Sequence, residues 1–561
     1  LGFFSVNKRP IKPLLRRRQV HASLPTEVQT EAQAEARSDI RPAGSGNASS
    51  DAGTSRQPPA DPLPLYRDVS ANEAVLRAVF HNCTDVVFRT VWVDDVHRLL
   101  LVYIDGVVDQ KRLEDEILRP LIYEFVPAYP LMTSLHHAIR AQLLPIAQTS
   151  TVSSIHEVVD NIVKCNSVIL SDGEDVALVL GNKSWTGRGV EEPAAETVVR
   201  GPREGFTETL RVNTSLIRRR IRNPKLKMEA LVLGTVTYTD VVIAYIEGVA
   251  REDILNELRT RLGRIEIDSV LESGYVEGMI QDNPFSPFPQ IQNTERPDVV
   301  AAALLDGRIA ILVDGTPFVL LLPMTFWMSL EASEDYYERF LYANAIRVVR
   351  MIFLLMSLFF PSLYVAVTTF HPQMLPTQLL LTFASAREPS PLPAVVEALI
   401  MEFTFEGLRE AGVRLPRAVG SAISIVGALV IGQAAVQAGI VSAPIVIVVA
   451  STGIASFAIP RYSFSIPFRM LRFPLLILAG TLGFYGIAVG LIAIMIHVVS
   501  LRSFGVPYFS PIAPFNARSA KNLVVRPPIW TMHRRSDKLT GGKSKRMPKG
   551  QGPRKPRERV E

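Results

Sequence analysis

The sequence predicts a multi-domain membrane protein: an α/β N-terminal region of two similar subdomains, then an α-helical transmembrane bundle of four spans, or five. Three observations lead there. A strand-then-helix pattern occurs twice in the first half, at Tyr103-Ile104-Asp105-Gly106-Val107 and Tyr245-Ile246-Glu247-Gly248-Val249. Long stretches of the second half carry no charge at all, among them the 43 residues 418–460. Both ends of the chain are polar although the mean hydropathy is +0.20, so the apolar residues are concentrated between them.

The ends come first. Residues 1–64 read as a disordered leader. Six Lys and Arg precede residue 19, and an Ala-, Glu-, Ser-, Gly- and Pro-rich stretch follows that cannot bury enough surface to offset its ordering entropy. No uninterrupted apolar run follows the basic stretch, so no signal peptide is expected and the α/β region is expected in the cytoplasm. Residues 520–561 hold thirteen Lys and Arg against Asp537, Glu558 and Glu561, which is +10 in a chain of net charge +6. The remainder is therefore −4, and the basic pI belongs to the tail. Residues 516–561 are expected to be a disordered basic tail that meets anionic lipid; no nucleic-acid partner is implied.

The two strand-then-helix units lie 142 residues apart, which suggests a duplication. Subdomain 1 is expected over 65–165 and subdomain 2 over 166–282. Four prolines make 283–298 a linker. Two Asp-Gly turns, at Asp306-Gly307 and Asp314-Gly315, separate short apolar runs, so 299–340 is expected to be a short β meander and a linker helix.

The membrane domain is expected over 341–515, with spans near 349–370, 418–440, 442–460 and 474–500, since about 20 residues cross a hydrocarbon core. Segment 376–412 is open: a re-entrant hairpin, an in-plane amphipathic helix, or a fifth span. Four spans put the α/β region and the basic tail on one side but leave Arg461, Arg469 and Arg472 on the other. Five would reverse both. The larger basic cluster favours four.

Chemistry is sparse. No nucleophile elbow, HExxH, cysteine cluster or GxGxxG occurs. Gly542-Lys543-Ser544 imitates the end of a P-loop, but Asp537 stands where its first glycine belongs. Cys83 and Cys165 are too few for a disulfide framework or a thiolate metal site. We expect no enzyme, no cofactor and no metal. What stands out is small residues in the second span, with Ser421, Ser424 and Gln433 as a polar face and Gly427 and Gly432 for close packing, which reads either as packing within the chain or as an ion path or subunit contact; Ile423 lies on the same helix. Glu402 and Glu406, one helical turn apart, are costly at membrane depth unless they meet water or a cation, and ordinary on the wet face of an in-plane helix. A solute site between the two subdomains is the competing reading, with Trp185, Arg188 and Arg203 as loose candidates.

Several blocks resemble GerA-type spore germination proteins. They include Arg296-Pro297-Asp298, Val313-Asp314-Gly315-Thr316-Pro317-Phe318 and Glu334-Asp335-Tyr336-Tyr337. The series continues with Phe370-His371-Pro372, Phe405-Glu406-Gly407-Leu408-Arg409-Glu410-Ala411-Gly412, Ser424-Ile425-Val426-Gly427-Ala428 and Ser503-Phe504-Gly505-Val506-Pro507-Tyr508. The likeness covers about residues 66–515. It implies the A subunit of a nutrient germinant receptor, or the spore-stage V-AF paralogue. It further implies the spore inner membrane, a transporter-like B subunit, a lipoprotein C subunit, a homo-oligomer and an ion channel that serves signal transduction during germination. A non-conducting scaffold is the alternative within the family.

Overall fold

Val86–Val93 and His97–Ile104 are rich in β-branched and apolar residues and form strands β1 and β2, antiparallel in full register from Val86 opposite Ile104 to Val93 opposite His97. The computed structural model describes residues 63–93, 97–119, 122, 149–182, 192–193, 196–414, 430–517, 520, 525–535, 539–540 and 545–553. The expected leader lies outside these except for its last two residues.

Strands β3 (Thr149–Val152), β4 (Ser167–Ser171) and β5 (Ala177–Leu180) complete an antiparallel sheet in the order β1-β2-β4-β5-β3. Every residue of β4 and β5 is buried, each large aliphatic one contributing roughly 1.5–3 kcal/mol. Helices α1 (Val69–Val79) and α3 (Ile155–Val163) cover one face; a short helix α2 (Gln110–Arg112) running into a π turn, Leu113–Leu118, covers the other.

The same plan is then repeated. Helix α4 (Leu210–Arg220), strands β6 (Leu226–Leu233) and β7 (Thr239–Ile246), helices α5 (Glu252–Leu262) and α6 (Ser273–Ile280), β8 (Gln292–Thr294), α7 (Pro297–Leu305), β9 (Ile309–Val313) and β10 (Val319–Leu322) follow. Their sheet order is β6-β7-β9-β10-β8, element for element that of the first. The likeness reaches single side chains. Asn72 accepts from the Tyr66 amide at 2.9 Å and donates to the Tyr66 carbonyl at 2.6 Å; Asn213 does the same to Thr207 at 2.8 and 2.6 Å. Asp172 accepts from the Val69 amide and Asp314 from the Leu210 amide, each opening its lobe's first helix.

Three sequence expectations change. The boundary at 165/166 falls inside the first sheet, because β4 and β5 pair with β2 and β3. Lobe 2 runs on to Leu322 and takes in β8 of the expected linker and, as β9 and β10, two of the three expected meander strands. Val299–Leu305, expected as a strand of that meander, belongs to helix α7: Pro297 sits in its first turn, where a missing N–H costs nothing, and Ala301-Ala302-Ala303 favours helix.

The lobes meet through the segment before β1. The Thr84 amide donates to the Met228 carbonyl, the Met228 amide to the Asn82 carbonyl, and Arg218 grips Asp85 at 2.6 and 2.9 Å. Both side chains are almost fully buried. Burial alone would lower the Arg218 pKa, but the adjoining Asp85 carboxylate overrides it and holds the guanidinium charged. Such an interface fills this region of the expected cleft. Arg203 is exposed, while Trp185 and Arg188 lie outside the described residues.

Beyond residue 339 the chain is helical. Helix α8 (Phe340–Phe370) leads away from lobe 2, α9 (Thr377–Arg387) lies at the far end, and α10 (Ala394–Arg414) returns. Residues 430–437 are helical, and α11 (Ala443–Phe457) again approaches the lobes. Helix α12 (Tyr462–Ser500) is two rods, because Gly483 has φ +61° and ψ −138°. Phe468 and His497 both touch the ring of Phe288, although a straight helix would set them about 43 Å apart. Rods α12a (462–482) and α12b (484–500) are therefore antiparallel, where one span over 474–500 is expected. Only α8 and α12 are long and apolar enough to cross a membrane by that measure among the described residues.

The tail is partly ordered. Arg526 donates to the carbonyls of Glu338 and Tyr336, Trp530 packs on Phe340, Leu539 is buried, Thr540 bridges to Ala250, and Arg546 pairs with Asp306. Its basic side chains thus find connector carbonyls and a lobe 2 carboxylate, which the expectation of disorder over 516–561 did not foresee.

Candidate functional site in the helical bundle

Helix α10 carries Glu402, Glu406 and Arg409 on successive turns. They face inward, so the solvated-face reading of the acidic stripe does not hold. Glu402 pairs with Arg472 of α12a, and Glu406 with Arg469 one turn away, as antiparallel neighbours require. Arg469 reaches Glu406 with Nε at 3.0 and 3.1 Å from the two oxygens. Arg409 donates to the Ser456 hydroxyl of α11 at 2.6 Å and lies over the Phe457 ring at 4.3 Å.

The Glu402–Arg472 pair is the most deeply enclosed, with side chains 0% and 2% exposed. A third helix completes it. Pro361 lies inside α8 and has no N–H, so it leaves the Ser357 carbonyl, four residues earlier, without its helical donor. Arg472 Nε fills that vacancy at 2.9 Å. Glu402 Oε1 and Arg472 Nη2 have no hydrogen-bond partner among the described residues. At the far end Glu397 accepts from the Ser442 amide at 2.9 Å and its hydroxyl at 2.7 Å, capping α11, with Arg387 3.7 Å away. Paired charges and satisfied carbonyls thus run down the centre of the bundle over three turns of α10.

The outer surface is the reverse. Leu355, Phe403, Ile447, Ile454, Ile477 and Ile492 are exposed. Gly486 and Gly490 of α12b face inward: Gly486 lies against the Leu478 backbone of α12a, where no larger residue fits, and Gly490 against the Leu475 side chain, which must turn aside for one.

Of the candidates read from sequence, Glu402 and Glu406 are brought together with arginines, and Gly432 is buried beside Val446. Gln433 is exposed. Ser421, Ile423, Ser424 and Gly427 lie outside the described residues. Sequence reasoning missed Glu397 and the partner role of Arg469 and Arg472; Pro361 inside an apolar helix was the available sign that a carbonyl waited for a donor.

A family profile described as Bacillus/Clostridium GerA spore germination protein matches residues 74–538. The chain is 47% identical over 491 residues to the uncharacterized membrane protein YfkQ of Bacillus subtilis (strain 168), covering 88% of this chain and 95% of that one. Spore germination protein KA of Bacillus subtilis (strain 168) is 45% identical over 88% of this chain and 90% of its own. Spore germination protein GerLA of Bacillus cereus is 39% identical over 87% and 96%. A crystal structure of the N-terminal domain of the A subunit of the Bacillus megaterium spore germinant receptor GerK3 aligns with 33% identity over 48% of this chain and 99% of that one, at a TM-score of 0.39. With a profile match across most of its length and relatives of this identity, the chain belongs to the GerA family of spore germination proteins.

Proposed function

We propose that the protein is a non-enzymatic membrane subunit of a spore germinant receptor, whose helical bundle transduces nutrient binding into germination. The observation that carries this reading is the inverted polarity of the bundle: ionised pairs at its centre, isoleucine, leucine and phenylalanine on its outside. A water-soluble helical domain has the opposite pattern, whereas hydrocarbon favours this one. Relatives named as spore germination proteins over most of the chain support the receptor role.

In this reading α8, α12a and α12b each cross the spore inner membrane; α10, whose Glu402 and Glu406 are paired with arginines inside the bundle, and α11, apolar but only 15 residues long, cross against them, and the segment 418–440 crosses between α10 and α11. The number rises from the expected four to six because α10 crosses and α12 crosses twice. An even number keeps the lobes and the basic tail together on the cytoplasmic side, the core of the spore, where the tail also meets anionic lipid. The protein works as a homo-oligomer with a transporter-like B subunit and a lipoprotein C subunit. Its ion path or subunit contact runs along 418–440, with Ser421, Ile423, Ser424, Gly427, Gly432 and Gln433. Gln433 and Gln437, one turn apart and both exposed, support a polar neighbour there.

Gly432 tests it. A Cβ there would just touch Val446 Cγ1 at 3.4 Å, so the longer branch of a leucine would crowd α11 where an alanine fits. Spores carrying Gly432→Leu should lose their response to nutrient while still germinating by a receptor-independent route. Normal nutrient responses from both Gly432→Leu and Gly427→Leu would place this helix against lipid and remove it from the path.

A further inference from the structure

We propose that lobe 2 is seated on the lipid surface by two aromatic loops, 283–288 and 509–516, whose Phe285 and Phe515 rings enter the boundary between headgroups and acyl chains. The proposal rests on the reading of the bundle as membrane-spanning. Phe285 is 96% exposed and Phe515 75%. Among the described residues no large apolar side chain is more exposed than Phe285.

Neither ring is on a slack segment. Pro284 opens a turn in which the Ser286 amide donates to the Asn283 carbonyl at 3.2 Å. The buried Gln290 side chain clasps Asn283, accepting from its amide at 2.8 Å and donating to its carbonyl at 2.6 Å. The Gln290 carbonyl in turn accepts from the Ser503 hydroxyl at 2.7 Å. Ser286 Oγ lies 2.9 Å from His497 Nε2 of α12b, and Phe288 packs edge-on against Phe468 of α12a. The second loop is closed by the Asn516 amide, 2.9 Å from the Pro511 carbonyl. Phe509 anchors it, its ring centroid 5.3 Å from that of Phe326 and 5.2 Å from that of Trp327. Loops pinned this firmly hold their outermost rings away from the protein, where only an apolar neighbour removes them from water.

The height of the loops on the bundle names that neighbour. Rod α12b is about 25 Å long at 1.5 Å per residue. A hydrocarbon core is about 30 Å thick, so the last turn of the rod must lie at the headgroup boundary. His497 is in that turn, and the Phe285 loop is bonded to it. The other loop reaches the same height on α8. Trp327, against which Phe509 packs, lines a shallow cavity of about 150 Å³ with Val348, Met351 and Ile352, where the charge-free stretch of α8 begins after Arg350. Val348 and Ile352 of α8, and Ile496 and Val499 of α12b, are exposed and continue the apolar surface of the bundle up to the loops. Arg502, exposed and in no ion pair among the described residues, follows the end of the rod, where a cation meets lipid phosphate. Asp282 brings no free charge to the Phe285 turn because Arg261 pairs with it. Apolar rings beside a cation at this height are what the interface of a bilayer accepts. Seated in this way, lobe 2 has its tilt against α8 and α12b fixed by lipid, and any rocking of the lobe must lift a ring out of the membrane.

The test uses the full-length chain in lipid nanodiscs, with an environment-sensitive NBD fluorophore on single introduced cysteines; the native Cys83 and Cys165 are buried. Labels at Phe285→Cys and Phe515→Cys should emit to the blue of their wavelength in water. Phosphatidylcholine carrying a nitroxide near its headgroup should quench them several-fold more than aqueous iodide does. Tyr238→Cys, in the β6–β7 turn at the sheet end away from Leu322, should show the reverse. Ile492→Cys, exposed and halfway along α12b, should be quenched by a nitroxide deep in the acyl chains. That label separates the two readings. Lipid quenching at 492 without it at 285 or at 515 overturns the seat and leaves the spanning bundle intact, whereas no lipid quenching at 492 overturns both. A blue-shifted label at 285 that neither lipid nor iodide quenches would mean that a second copy of the chain covers the ring, and would also overturn the proposal.

Discussion

Arg472 gathers three helices at one guanidinium: Glu402 from α10, the Ser357 carbonyl that Pro361 leaves open in α8, and its own rod α12a. Removing one member of a buried ion pair strands the other, at about 3–5 kcal/mol. Glu402→Gln and Arg472→Leu should therefore each destabilise the detergent-solubilised chain by about that much in denaturant unfolding. The double change Glu402→Leu with Arg472→Leu should recover most of the loss, because two apolar side chains leave no charge behind. A double variant whose loss equals the sum of the singles would mean that the two residues act separately. Glu402 and Glu406 could be read as suspects from their one-turn spacing. Their partners could not, since Arg472 and Arg469 are brought in by an antiparallel packing that local sequence does not record. For the same reason the arginines looked like a problem of topology.

At the scale of elements, the turn at Gly483 decides the architecture. Its positive φ strains any residue with a Cβ, and the close approach of Gly486 to Leu478 lets the two rods touch. Gly486→Leu should force the rods of α12 apart and lose the contact of His497 with Ser286, now 2.9 Å. A cysteine pair at Leu475 and Gly490 should cross-link in the parent and fail in a chain that also carries Gly486→Leu. Equal cross-linking would show that the reversal survives without the close approach. Gly480, Gly483, Gly486 and Gly490 are spaced three and four apart in the sequence, but hydropathy along 474–500 is the same for one span and for part of a hairpin. Val299–Leu305 was misread on similar grounds. A short apolar run fits a buried strand or a buried helix, and Pro297 in the first turn was the discriminating sign.

Across the whole molecule, a duplicated α/β lobe stands on a bundle that is polar inside and apolar outside, and the basic tail returns to lobe 2. The duplication was legible because Tyr103–Val107 and Tyr245–Val249 close equivalent strands. Its extent was not, because the outer strands of each sheet are short and join the pattern only through pairing. The tail's contacts with Glu338, Asp306 and Ala250 place both ends of the described chain at the lobe end of the bundle. The central claim is that the bundle crosses the membrane an even number of times with lobes and tail on one face. Single cysteines at Asp175 in lobe 1, Lys549 in the tail and Tyr485 beside the far turn, all exposed, test it most directly. Labelled with a membrane-impermeant maleimide in sealed vesicles, Asp175→Cys and Lys549→Cys should react from the same side and Tyr485→Cys only from the other. Opposite sides for positions 175 and 549, or the same side for 175 and 485, would contradict it.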